Sequence, residues 1–369
     1  MIQKIDLENF KCHKIFKEEL NQITILTGAN ATGKSSVIQA ILLAVNSYKN
    51  IEKKKVRTTD IYDVNLGLPI NIMSENFSDE ELKISLQLQN ESEDVILALD
   101  EKDDTAFQIC NYEQMLEDLE KSNFLWTKNL YYLNAERIGP RITYGIKNTL
   151  DDYVGSKGEY TSYIINEIDK NQRLDSDMIL PNLLKISSIT RFSANCEEWL
   201  KLLFPNTALQ SSVDMEKNIS IIKFRNEGEF YLPTGTGFGI SCTLPIIVQA
   251  LIASMKKDSI LLIENPEAHL HPFSQSQMGK FLAYIAVSGV QVIVETHSEH
   301  IIDGCRLQLA HLKQCGLMKT IFFDKNGKES SHKNIITKEN GELEDWPEGF
   351  FDQKRLDLRE LLEMRRCKA

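Results

Sequence analysis

Apolar and polar positions along the chain sort into short strand-like runs and longer helix-like runs. Ile2, Ile5 and Leu7 predict a first strand, followed by Asn9-Phe10-Lys11. Ile23-Thr24-Ile25-Leu26-Thr27 is apolar and β-branched, which predicts a buried strand. After a loop, SSVIQAILLAVNS is apolar on most faces and predicts a helix buried on several sides. Residues 49–80 are polar, hold Lys53, Lys54, Lys55 and Arg57, and are expected to form an exposed loop region. Ile84, Leu86 and Leu88, then Val95, Leu97 and Leu99, alternate with polar residues. That period of two predicts an antiparallel pair with a turn near Asn90-Glu91. Tyr112–Ser122 reads as a helix and Leu130–Leu133 as a strand. Residues 160–204 read as helices broken at Pro181 and Pro205, and 219–232 as two short strands around Asn226-Glu227-Gly228.

Three blocks complete the pattern. Leu232–Met255 is a glycine-rich loop opening into an apolar helix. Ser259–Pro272 holds a short buried strand with an acidic end, and Val290–Ile302 holds another. Strands alternating with helices imply a parallel sheet with crossover helices, so the fold class is α/β. No sustained heptad run, internal repeat or low-complexity segment interrupts this reading.

The length of 369 residues fits one large domain or two of ordinary size. With 42 basic and 53 acidic residues the net charge is −11, so contact with nucleic acid would need a local basic patch. The longest apolar stretch, Leu244–Met255, contains Pro245 and Gln249 and falls short of the roughly 20 residues a membrane span needs. The opening MIQKIDLENFK carries charges where a signal peptide is apolar. Seven cysteines without a CxxC pair suit reduced thiols, so a cytoplasmic location is expected.

The sharpest chemical signal is Gly28-Ala29-Asn30-Ala31-Thr32-Gly33-Lys34-Ser35, with Ser36 following, between a strand and a helix. It matches GxxxxGK[ST], a phosphate loop. Its glycines let several N–H groups face one anion, Lys34 supplies a cation for the β- and γ-phosphates of ATP, and Ser35 offers a hydroxyl to Mg²⁺.

Ile260–Ile263 ends in Glu264, and a buried parallel strand with a carboxylate at its end suits a magnesium partner. Asn265, Pro266 and Glu267 follow. The strand Val292–Val294 delivers Thr296, His297 and Ser298 in the same way, and a histidine there can sense a γ-phosphate. Two other readings stand beside this one. Glu264 and Glu267 could be ordinary helix-start acids, and His269, His271, His297 and His300 could ligate zinc. In Leu232–Ser241, Gly237 and Gly239 free the backbone for close approach, and Ser241 is expected to cap a helix. Alone, that segment is equally a plain loop.

Taken in order, the phosphate loop, the glycine-rich loop, LLIENPEAHLHP and VIVETHS resemble the ABC-type ATPase heads of the SMC, RecF and OLD group. ENPEAHLHP with ETHSEHII is particularly similar to RecF/OLD-like bacterial ATPases. Residues 136–140, 154–159 and 346–353 are similar to one subfamily with a short C-terminal domain of unknown function. The resemblance implies a P-loop NTPase head over residues 1–325, with a nucleotide-binding core at 1–135 and 256–325. A helical lobe would cover about 136–255, carrying an antiparallel β piece beside it, and a small extension 326–369. It puts Walker A at Gly28–Ser36, the signature loop at Gly237, Gly239 and Ser241, the Walker B acid at Glu264 and the switch histidine at His297. The general base of this group is usually a glutamate after the Walker B acid; here Asn265 stands there, so either Glu267 substitutes or hydrolysis is slow.

By the same resemblance the chain is expected to be a homodimer that sandwiches ATP–Mg²⁺, open to higher assembly. It would regulate a separately encoded effector, a nuclease or toxin, in bacterial anti-phage defence. Two alternatives remain at this point: a RecF-like repair ATPase that binds DNA, for which Lys53–Arg57 would serve, and a non-hydrolysing ATP-bound scaffold.

Overall fold

The computed structural model describes residues 1–59, 61–74, 81–88, 91–119, 129–147, 151–170, 191–326 and 329–366. Asn90, Ser122 and Pro181, where a turn, a helix end and a helix break are expected, lie outside them. The chain opens with β1 (Ile2–Phe10), β2 (His13–Glu19), β3 (Ile23–Gly28) and α1 (Lys34–Lys49). Next come β4 (Lys55–Arg57), α2 (Pro69–Ile72), β5 (Glu81–Leu88), β6 (Glu91–Leu99), β7 (Ala106–Ile109) and α3 (Tyr112–Leu119). β8 (Leu130–Leu133) is followed by α4 (Thr161–Lys170), α5 (Phe192–Leu203), β9 (Ala208–Asp214), β10 (Ile219–Arg225) and α6 (Phe238–Ser254). The chain then runs through β11 (Ile260–Glu264), α7 (Pro272–Val287), β12 (Gln291–Glu295) and α8 (Glu299–His311). β13 (Met318–Asn326), β14 (Glu329–Ile336) and α9 (Gln353–Arg366) follow.

One six-stranded sheet has the order β14-β13-β3-β12-β11-β8, with β14 antiparallel at one edge and the other five strands parallel. A second, antiparallel sheet has the order β2-β1-β5-β6-β7-β4. The α/β class with a mostly parallel sheet and an antiparallel piece is therefore what the chain adopts. Alternation along the parallel strands explains why they read as continuous apolar runs. Ile25, Leu261, Ile263, Val292 and Val294 enter a core shared with α4–α8, while Leu26, Ile260, Leu262 and Ile293 enter a second core shared with α1 and the antiparallel sheet. Burial of each such side chain contributes about 2 kcal/mol relative to exposure.

Three elements depart from the pattern-based expectation. β2 reads HKIFKEE, and only Phe16 of its apolar residues is buried, since Ile15 is 63% exposed. Its strand character comes from pairing with β1 rather than from its own periodicity. Residues 49–80 are not simply an exposed loop: β4 and α2 lie there, and Val56, Ile61 and Ile72 are fully buried. The hairpin expected across 219–232 forms instead between β10 and the upstream β9, and the downstream side contributes one bridge, Phe224 with Tyr231. Serines at 211 and 212 hide the alternation of β9.

The lysine run is tied down locally. Lys53 Nζ donates to Asn50, Lys54 Nζ stands 4.1 Å from the Tyr112 ring centroid, and Lys55 pairs with Asp100. Among the described residues, no helix is long and apolar enough to cross a membrane.

Candidate functional site

β3, β11 and β12 run parallel, so their C-terminal ends gather Gly28, Glu264 and Glu295 at one edge of the sheet. The phosphate loop begins there. Gly28 has φ 137, and a Cβ on it would lie 2.0 Å from the Phe323 carbonyl oxygen. Gly33 has φ 102, and a Cβ would meet His13 Nε2 at 2.5 Å. Both positions need glycine. Thr32 Oγ1 and Lys34 Nζ donate to the Ala29 carbonyl at 2.8 and 2.6 Å and hold the loop curled. A cavity of about 420 Å³ opens over it, lined by Lys11, Asn30, Ala31, Thr32 and Gly33. Lys34, Ser35 and Ser36, in the first turn of α1, line it too, together with Glu295 and His297. Lys34 is largely buried, which lowers its pKa, and Glu295 opposes that shift. The N–H groups at the start of α1 and the Lys34 ammonium suit an anion.

Glu264 and Glu295 are register neighbours on β11 and β12. Ser35 and Glu264 are the residues expected to serve Mg²⁺, and the Ser35 hydroxyl donates to Glu295 Oε1 at 2.9 Å. Glu295 Oε2 is buried without a hydrogen-bond partner. Burial, with Glu264 and Glu267 nearby, pushes the Glu295 carboxyl up to about 7 against the pull of Ser35 and Lys34. Glu264 accepts from the Tyr132 hydroxyl at 3.0 Å and from Ala135 N at 3.3 Å, and burial raises its pKa. Sequence reasoning passed over Glu295. The signal was available: β12 ends in a glutamate at the strand position where β11 does.

Glu267 reaches back to the second strand end, accepting from Thr296 Oγ1 and His297 N, both at 2.7 Å. His297 sits at the rim of the cavity, and partial desolvation of its ring together with Lys34 lowers its pKa, favouring the neutral imidazole. Ser298 caps α8, accepting from His300 N and Ile301 N. Asn265 adopts φ 45, donates its N–H to the Glu295 carbonyl at 2.8 Å, and leaves Oδ1 buried without a partner. Asparagine tolerates that left-handed backbone better than most residues.

Arg137 was quoted in the resemblance without a role. Its buried guanidinium donates to four carbonyls: Cys242 at 3.0 Å, Asn134 at 3.0 Å, Glu264 at 2.6 Å and Asn265. It ties the acidic strand end to α6. Burial lowers its pKa, yet a guanidinium stays charged in proteins.

The glycine-rich loop stands apart from the phosphate cavity. Gly237 is the N-cap of α6 and is exposed, while Gly239 and Ser241 are buried. Ser241 is therefore not the cap that the sequence suggested: the helix starts at Phe238. Gly239 permits that earlier start, since a Cβ on it would lie 2.8 Å from the His269 carbonyl. His271 caps α7 through Phe273 N. Among the described residues, no group of three or more His, Cys, Asp or Glu is placed to hold a metal ion.

Residues 1–172 and 146–302 match the family model described as an AAA ATPase domain. The chain belongs to that family. Residues 319–361 of this AAA ATPase match a protein family of unknown function, DUF3696. No curated protein matches it. Its fold is similar to the crystal structure of an SMC head bound to the C-winged helix domain of ScpA, with a TM-score of 0.56, 14% identity, and 91% of this chain and 97% of that one covered. It is also similar to an SMC head domain with an extended coiled coil bound to the C-terminal domain of ScpA derived from Pyrococcus furiosus. There the TM-score is 0.52 and the identity 12%, over 98% of this chain and 99% of that one. The AAA ATPase thus has the fold of an SMC head.

Proposed function

We propose that this ATPase binds ATP with Mg²⁺ at the phosphate loop and hydrolyses it slowly. The observation that carries the reading is the Ser35–Glu295 hydrogen bond beside Lys34, at the edge where the parallel strands end. The donor set fits Mg²⁺. Ser35, Glu264 and Glu295 offer hard oxygens, and Glu295 has a buried oxygen with no partner. With so few protein ligands gathered there, phosphate oxygens would complete the coordination. When bound, the ion supplies neutralisation of charge on the β- and γ-phosphate oxygens.

The chain's own residues do the rest. Lys34 and the first N–H groups of α1 hold the phosphates. Glu267 fixes Thr296 and the His297 backbone, so His297 keeps its place at the cavity rim. A carboxylate has about four acceptor sites, so Glu267 retains capacity to accept from a water beside the γ-phosphate. Asn265 can orient that water but cannot take its proton, which is why turnover is slow.

Two heads would pair through ATP, the signature loop expected at Gly237, Gly239 and Ser241 meeting the other's phosphate loop through its exposed cap residue Gly237. In both SMC-head structures a ScpA domain is bound to the head. A surface for a second protein, here a nuclease or toxin of anti-phage defence in the cytoplasm, accords with that arrangement and with the resemblance. The DNA-repair alternative would use the lysine run, three of whose cations have local surface partners. Phosphate release from Mg²⁺–ATP by the purified protein tests the reading, with Glu264→Gln expected to abolish it. Light scattering with a non-hydrolysable ATP analogue tests the dimer; a monomer throughout would reject it.

A further inference from the structure

The C-terminal family of unknown function begins on the strand beside the phosphate loop. β13 pairs with β3, placing Phe322 opposite Thr27 and Phe323 opposite Gly28. Phe350, 1% exposed, packs edge-on against Phe322 with ring centroids 5.5 Å apart, and Trp346 packs on Phe350 at 5.1 Å. This anchor fixes the turn that follows. Gly349 and Phe351 adopt φ 82 and 52, and Asp352 Oδ2 accepts from Gly349 N at 3.2 Å.

The turn closes a second cavity, of about 270 Å³, between Thr27, Gly28 and His297 on one side and Phe351, Asp352 and Gln353 on the other. His297 lines both this cavity and the one over the phosphate loop. Thr27 is wholly buried and its hydroxyl has no hydrogen-bond partner. His297 borders both cavities, and Gly28 and Ala29 line the second, so the second cavity adjoins the first at the beginning of the phosphate loop. Asp352, the acid of this wall, is engaged by Gly349 N and stands 3.9 Å from Arg355, so it does not face a phosphate as a lone charge.

We infer that Gly349–Gln353 is the outer wall of the nucleotide site and contacts the terminal phosphate of a nucleoside triphosphate or its hydration shell. The C-terminal element is then the part of the chain that separates ATP from ADP. This rests on the phosphate-loop reading above.

Calorimetric titration of ATP and ADP into the full chain tests it. Gln353 is exposed, so Gln353→Trp can fill the cavity without breaking the core. ATP affinity is expected to fall about tenfold, with ADP affinity changed by less than about twofold. Phe351→Ala, which opens the wall, should also weaken ATP selectively, and Lys354→Trp, one residue outside the cavity, should change neither. If both nucleotides bind Gln353→Trp and Phe351→Ala as they bind the wild type, or if ADP weakens in step with ATP, the wall has no such role. Lys34→Ala separates the two claims. If it loses both nucleotides while the wall variants behave as wild type, the phosphate-loop reading stands and the inference falls. If it keeps both, the phosphate-loop reading falls and takes the inference with it.

Discussion

The Ser35 hydroxyl donates to Glu295 Oε1 at 2.9 Å, joining the first turn of α1 to the end of β12 across 260 residues of chain. Glu295 thereby stands closer to the phosphate loop than Glu264, the acid that the motif order singled out. With its folded-state pKa raised to about 7, Glu295 holds a proton that the unfolded chain would release near 4.5. Folding is then favoured as pH falls from about 7 towards 4.5, and the penalty is fully present above 7. Without nucleotide and metal, Glu295→Gln should raise the melting temperature at pH 8 by a few degrees and gain less at pH 5.5, as read by scanning calorimetry. The same variant should lose Mg²⁺-dependent phosphate release while still binding ATP. Equal thermal shifts at both pH values would refute the protonation argument.

Lys34→Ala should weaken both ATP and ADP by at least about 100-fold, because the loop loses its one side-chain cation in the first turn of α1. Unchanged affinity in calorimetry would remove the nucleotide assignment.

Arg137 predicts a stability defect with a functional signature. Arg137→Ala removes four buried hydrogen bonds, to the carbonyls of Cys242, Asn134, Glu264 and Asn265, and a buried acceptor left unpaired costs about 1–3 kcal/mol. The expected fall in melting temperature is on the order of 10 °C. Arg137→Lys should recover only part of it, since an ammonium cannot span the fork of the guanidinium. A lysine variant as stable as the wild type would show that charge alone suffices.

Glu267 and Asn265 make opposite predictions. Glu267→Gln should keep ATP binding and cut phosphate release at least about tenfold, since the amide can no longer accept from both Thr296 and His297 N or take a proton. Asn265→Glu supplies a proton acceptor at the strand edge and should raise turnover. It should also cost about 1 kcal/mol of stability, because a glutamate is strained at φ 45. Wild-type turnover in Glu267→Gln would reject Glu267 as the proton acceptor, whereas no phosphate release from the wild type would favour the ATP-bound scaffold.

What could be read from sequence was contiguous. Gly28–Ser36, Glu264 and His297 each sit inside a local run whose strand and turn chemistry is visible without a structure. Glu295 is equally visible as an acid ending an apolar strand, next to the motif that holds His297. Arg137 was not legible, because its acceptors are backbone carbonyls as far as 128 residues away, and carbonyls carry no sequence signal. β2 failed for a related reason: one buried phenylalanine is too little periodicity to announce a strand that its neighbour stabilises. The cap lies four residues before Ser241, at Gly237, and the close approach of Gly239 to the His269 carbonyl accompanies that earlier start.

The place of β3 in its sheet has a consequence for how the chain reaches this structure. Residues 23–28 lie between partners at 291–295 and 318–323, so the phosphate loop is translated early and enclosed late. Contacts of such long sequence separation fold slowly and leave apolar edges uncovered meanwhile. A nascent chain halted before residue 318 would carry the whole GxxxxGKS signature with one flank of its strand bare. Competence to hold nucleotide should therefore arise in a single late step during synthesis, after Phe322 and Phe323 have docked beside Thr27 and Gly28.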